Sequence, residues 1–217
     1  MVSNGAGPDN ANTADRLLTV AAHLFREKGY AATTTRELAA ALGVKSASLY
    51  YHMRSKEDLL YDICVDSIQR IDAEVRAKVA EATDPLDELR AFVTTHLRVV
   101  LMDHDRHATM LLELRFLPED RRREVLELRK SYVRVARQIL QNLQEKELIR
   151  RDLTTTNLSL AIFNTLNWTI LWYHPDGASS LDDVIEFLLS FIMAGVQTPG
   201  TPMPDGAAMT ARPRRRK

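Results

Sequence analysis

Apolar positions along the chain recur every three to four residues rather than every two, the spacing of one face of an α-helix. Leu17, Val20, Ala21, Leu24 and Phe25 mark a first helix over about 14–28, stopped by Gly29. Thr34 and Glu37 stand three apart as a capping box, so a second helix starts near Thr35 and ends at Gly43. A short helix is predicted over 46–52, and Ser55 caps a long one running to about residue 80. Further helices are predicted over 85–102, 105–116, 119–147, 154–173 and 180–196. Asp84-Pro85, Leu117-Pro118, Arg151-Asp152 and the turn His174-Pro175-Asp176-Gly177 separate them. The pattern holds no convincing strand alternation and no internal repeat. The expected fold class is all-α, with about nine helices. Polar residues 1–12 and the proline-punctuated segment 197–217 are expected to be disordered.

Composition narrows the class. Hydrophobic residues make up 45% of the 217 and charged residues 27%, which fits a globular chain with a real core. Lys plus Arg and Asp plus Glu each number 29, but they are unevenly spread. Residues 1–54 carry six basic and four acidic side chains, 55–196 carry 18 and 24, and 197–217 carry five and one. An acidic body thus lies between two basic ends. The single cysteine, Cys64, excludes an internal disulfide and a cysteine-based zinc site. The longest apolar run is ten residues, 187–196, against the roughly 20 that a spanning helix needs. No leader pattern opens the chain. A soluble, cytoplasmic protein with no membrane partner is expected.

The pair of short helices over 35–52 is the strongest functional signal. Ala39 stands where two helices would cross, Gly43 suits a left-handed turn, and Leu38, Leu42, Val44 and Leu49 are expected to face inward. Lys45, Ser46, Ser48, Tyr50, Tyr51 and His52 would then form the exposed face of the second helix. Hydroxyls and a cation at a helix start suit phosphates and base edges. On spacing alone, a helix-turn-helix and a plain αα-hairpin both remain open.

The segment TTTRELAAALGVKSASLYYHMRSKEDLL at 33–60 resembles the DNA-binding signature of the TetR family of transcriptional regulators. The match runs through Thr34, Leu38-Ala39, Gly43-Val44, Leu49-Tyr50-Tyr51-His52-Met53 and Lys56 to Leu59, with Met53 where the family more often has Phe. Ala21-Ala22, Leu24-Phe25, Glu27 and Gly29-Tyr30 match the family's first helix. The resemblance covers about 14–60. It implies that Thr34 and Thr35 hold phosphates, that Lys45, Ser46, Ser48 and Tyr50 read or flank a major groove, and that Tyr51, His52 and Lys56 contact the DNA backbone. For Tyr50, packing against the first helix is the alternative. It further implies a helix-turn-helix domain over 13–56, a ligand-binding and dimerisation domain over 57–196, and a near-palindromic double-stranded operator.

In the body, 181–196 is apolar on two faces, so one face is expected to meet a second chain together with the preceding helix. Leu158, Leu166, Val184, Phe187, Leu188, Phe191 and Ile192 are the candidate dimer contacts. A wholly internal helix is the alternative. The preceding helix gathers Phe163, Trp168 and Trp172 with the amides of Asn164 and Asn167, a mixture suited to a ligand pocket, or to ordinary core. Met102, Met110, Leu111, Leu114, Phe116 and Tyr132 are further candidate walls. The run ending Trp172-Tyr173-His174-Pro175-Asp176-Gly177 resembles a TetR subgroup that regulates lipid, acyl-CoA and steroid catabolism in actinobacteria. Arg121-Arg122-Arg123 could meet coenzyme A phosphates or form a solvated run; no cation lies in 154–173, which favours a neutral apolar effector.

His96, His104 and His107 with Asp103 and Asp105 have a spacing that metal ligation would tolerate, but it is also ordinary helix-junction composition. No nucleophile elbow, phosphate loop or HExxH motif occurs. The expectation is a homodimeric regulator without cofactor, metal or catalysis. It would act as a repressor released by a small apolar metabolite (fatty acyl, acyl-CoA or steroid-like) or, alternatively, by aromatic or cationic drugs.

Overall fold

The structure is a computed structural model that describes residues 8–198, with side chains described from Thr13 onward. Among the described residues it is all-helical, with nine α-helices. These are α1 (Pro8–Lys28), α2 (Thr35–Leu42), α3 (Ser46–Leu49), α4 (Lys56–Ala80), α5 (Pro85–Met102), α6 (His104–Glu113), α7 (Glu119–Glu145), α8 (Thr155–Asn167) and α9 (Leu181–Val196).

Most helix starts are set by side-chain caps that satisfy the first free N–H groups. Thr34 and Glu37 form the reciprocal capping box of α2, and Ser180 and Asp183 form that of α9. Ser55, Asp84 and Thr154 accept from backbone N–H groups at the starts of α4, α5 and α8. Gly43, at φ 72°, ends α2 in the left-handed region.

Several boundaries differ from the sequence-based expectation. Helix α1 starts at Pro8, inside the stretch expected to be disordered, because proline lacks only an N–H that the first turn leaves unused. The rest of that stretch, and the basic tail beyond 198, lie outside the described residues. Helix α3 is a single turn, and residues to Met53 continue it through tighter bonds such as His52 N–H to Leu49 O. Helix α6 stops at Glu113 and passes into a 3-10 turn, Leu114–Phe116. Helix α7 ends two residues early because Glu147 takes φ 58°. Helix α8 ends at Asn167, followed by a 3-10 turn, Trp168–Leu171. There the Thr169 hydroxyl donates to Leu166 O at 2.6 Å, and Pro175 keeps the preceding residue out of helical conformation.

Two apolar clusters hold the chain together. One gathers Leu17, Ala21, Phe25, Leu38, Leu49 and Met53 from α1–α3 with Leu60, Ile63 and Cys64 of α4, and extends to Met110, Leu114 and Val125. The other joins the far half of α4 to α5, α7, α8 and α9 around Ile71, Phe92, Leu97, Leu140, Leu166 and Leu188. Helix α4 runs through both, and partly buried Leu111 of α6 packs against both.

Candidate functional site

The head presents α3. Leu49 is fully buried, while Lys45, Ser46, Tyr50, Tyr51 and His52 are exposed and Ser48 is half-buried. The turn that aims α3 depends on Gly43: its N–H and that of Val44 bond the Ala40 and Ala39 carbonyls. Met53 is buried as an apolar plug, but Val44, expected inward, is 37% exposed. Helix α3 is too short to cover it.

Two of the residues expected at phosphates also have partners within the chain. The Thr34 hydroxyl is held in the capping box by Glu37, whose carboxyl is lowered to about 2, first by Lys28 at 2.6 Å. The Lys56 ammonium donates to Tyr30 O and Thr33 O, both at 2.8 Å, and lies over the Tyr30 ring. It fastens the α1–α2 loop to the start of α4. Thr35 is half-buried at the α2 N-terminus.

In the body, residues of α4–α8 line a small, partly open cavity of about 30 Å3. Its lining includes five of the expected pocket residues: Met110, Leu111, Tyr132, Phe163 and Asn167. It also includes five that the sequence reading did not assign there: Ile68, His96, His107, Arg129 and Val133. His96 and His107, weighed earlier only as metal ligands, were findable as polar residues on otherwise apolar helix faces. Their rings meet at 6.1 Å, while His104 turns away to Ile170 O. Among the described residues, no group of three His, Cys, Asp or Glu is placed to hold a metal.

The two imidazoles are buried and neutral. Burial first, then the neighbouring His107, lowers His96 to about 3. Burial likewise lowers His107 to about 4. The Tyr132 hydroxyl and His96 Nδ1 lie 2.8 Å apart. His107 lies between Ser67 and Asn167, at 3.2 and 3.3 Å. His96 Nε2 is buried without a hydrogen-bond partner.

The other expected pocket residues lie elsewhere. Met102 is exposed at the end of α5, and Leu114 belongs to the head's cluster. Phe116 is partly exposed and packs its ring on Tyr30. Asn164 is exposed, and Trp168 and Trp172, in and just after the 3-10 turn, are each about half exposed. The expected dimer contacts also divide. Leu158, Leu166, Val184, Leu188 and Ile192 face the chain's own core. Phe187 and Phe191 stay open, at 49% and 62% exposure, as do Leu160, Trp168, Leu171 and Trp172.

Helix α6 connects cavity and head. His107, Met110 and Leu111 line the cavity. Its other residues grip α1 and α4. Arg106 is buried and donates to Asp15 at 2.6 Å, Thr19 at 2.7 Å and Asp66 at 2.7 Å. Asp105 meets His23 and Arg26, the Thr109 hydroxyl donates to Ala22 O, and Glu113 accepts from the Tyr30 N–H. At the other end of α4, Arg121 of α7 is paired with Asp58 and Glu57, so it is not a free basic rim.

Comparison with known proteins places this arrangement. A family model described as "Bacterial regulatory proteins, tetR family" matches residues 17–63, and one described as "Tetracyclin repressor-like, C-terminal domain" matches 82–196. The HTH-type transcriptional repressor KstR2 of Rhodococcus jostii is 30% identical over 84% of this chain and 90% of its own length. The solved ketosteroid transcriptional regulator KstR2 of Mycobacterium tuberculosis has a TM-score of 0.80 at 25% identity, covering 85% of this chain and 95% of that one. PfmR, a TetR family transcriptional regulator of Thermus thermophilus, has a TM-score of 0.77 at 33% identity, covering 83% and 98%.

Proposed function

Since this chain belongs to the TetR family of bacterial transcriptional regulators, we propose that it is a homodimeric repressor released from its operator by a small, largely apolar effector. Its two family domains and its KstR2-like relatives are regulators of transcription rather than enzymes. DNA and a small molecule are its partners, and among the described residues no helix is long and apolar enough to cross a membrane. The cytoplasm, where its operator is accessible, is the proposed location.

The observation that carries the effector reading is α6. One helix lines the polar end of the cavity and holds α1 of the head through Arg106, Asp105, Thr109 and Glu113. An effector that enlarges the cavity displaces α6 and α4, and the head moves with them. Ligand and DNA then favour different states, which is the condition for mutual exclusion. Thr34, Thr35, Lys45, Ser46, Ser48, Tyr50, Tyr51, His52 and Lys56 are the proposed DNA-facing set within residues 13–56. The exposed Trp168 and Trp172 that follow α8, with Phe187 and Phe191 of α9, are the proposed seam between two copies, within residues 57–196. A two-fold dimer presents two α3 segments to successive major grooves and so reads a near-palindromic site.

The drug-sensing alternative needs a buried carboxylate to receive a cation. The cavity lining holds an arginine and no acidic residue, so the metabolite reading is favoured. A gel shift on the DNA upstream of the protein's own gene tests the proposal. A shift that survives competitor DNA and weakens steeply with salt is expected. Failure there and in a genome-wide selection of bound fragments would sink it.

A further inference from the structure

Arg129 is an odd residue in its setting. It comes from α7, borders the same small cavity as His96 and His107, and is partly buried. Burial lowers its pKa, and its charge is felt by Cys64 and His107. Among the described residues it has no ion pair and no hydrogen bond, whereas Arg106 and Arg121 are each met by two or more carboxylates. A partly desolvated guanidinium without a counter-charge is costly unless an anion reaches it.

The rest of the lining describes what that anion is attached to. Ile68, Met110, Leu111, Val133 and Phe163 are apolar, so the body of the ligand is hydrocarbon. Among the described residues the Tyr132 hydroxyl has no partner but His96 Nδ1, and donating there satisfies both the hydroxyl proton and the Nδ1 lone pair. That arrangement leaves the His96 proton on Nε2, which is buried without a formed hydrogen bond and has the Asn167 side chain as its polar neighbour. A cation from α7 and an N–H donor from α5 bordering the same cavity call for an acceptor that carries charge.

We propose that the effector is an organic carboxylate with an apolar skeleton, its carboxylate paired with Arg129 and accepting from His96 Nε2–H. The inference rests on the effector-cavity reading above. A coenzyme A thioester fits less well. Its thioester carbonyl is uncharged, and its phosphates lie a long pantetheine arm away from the acyl carbons.

The test is calorimetric binding of three acids (decanoate, 4-cyclohexylbutyrate and 2-naphthylacetate), their methyl esters and decanoyl-coenzyme A to the full-length chain. At least one acid is expected to bind, with its ester at least tenfold weaker. Arg129→Met should lose at least tenfold for that acid, while Arg129→Lys should retain most of the affinity. Because Arg129 has no internal partner, Arg129→Met should fold with an unchanged or higher Tm, so a loss of acid binding is not a loss of the fold. Equal binding of acid and ester, undiminished acid binding by Arg129→Met, binding of the thioester alone, or no binding of any acid at 5 mM (a concentration on the order of the weakest affinities of interest) would each overturn the inference. A parent chain that selects no DNA fragment would instead defeat the repressor reading, whatever the acids do.

Discussion

Acid should unfold this protein through its two buried imidazoles before it touches the carboxylates. His96 is held at about 3 and His107 at about 4, against 6.5 for a free imidazole. The folded chain therefore refuses protons that the unfolded chain accepts. Their stabilising effect is complete above pH 6.5 and is lost as pH falls toward the folded values. Between those limits each imidazole removes about 1.4 kcal/mol per pH unit. At pH 5 that is about 2 kcal/mol each, or about 4 kcal/mol per chain for the pair, a large share of the stability of a typical domain. The lowered carboxyls Glu37 and Asp105, both at about 2, act only in more acid solution. Urea unfolding followed by circular dichroism at pH 7.5, 6.5, 5.5 and 5.0 measures the slope. His96→Gln and His107→Gln should each remove about half of it. Stability that is flat or rising from pH 6.5 to 5 would show that these imidazoles are not buried as described, and the reasoning would fail.

Three further outcomes are expected. Arg106→Met should cost about 1–3 kcal/mol in urea unfolding, because it removes the buried cation shared by Asp15, Asp66 and Asp103 and leaves the last two to the half-exposed Arg70; a loss under 0.5 kcal/mol would show that the cluster is solvent-screened. Glu147→Gly should raise stability by about 1 kcal/mol, since glycine takes φ 58° without strain and the Arg151 pair lost with it is exposed. Phe191→Glu should convert a dimer to a monomer in analytical ultracentrifugation and weaken operator binding; an intact dimer would place the seam elsewhere.

The head was legible because its constraints are local. A capping box, a left-handed glycine and a buried leucine each leave a mark within a few residues, and Thr34, Gly43 and Leu49 stand where those marks put them. The helices of the body were legible for the same reason, their caps being written beside their starts. The cavity was not. Which face of a helix turns inward depends on partners far along the chain, so Met102 and Trp172 read as pocket residues yet lie outside it. His96 and Arg129 read as incidental and line it. The 3-10 turn after Asn167 was hidden too. There the Thr169 hydroxyl bonds the Leu166 carbonyl, and both tryptophans beside the turn are about half exposed. On α9, two apolar faces signalled a second chain, but the particular residues assigned to the seam were mostly those of the internal face.

The cavity of about 30 Å3 has room for only a few water molecules. Any effector must therefore make its own space, and part of its contact energy goes into prising the helices apart. Measured affinity will understate contact quality by that opening cost. Trimming a wall, as in Phe163→Ala, should make effectors bind more tightly and the operator more loosely at once. Sensitivity to the signal and grip on the gene are thus two readings of a single helix-packing equilibrium, and evolution can retune the threshold of response without altering a DNA contact.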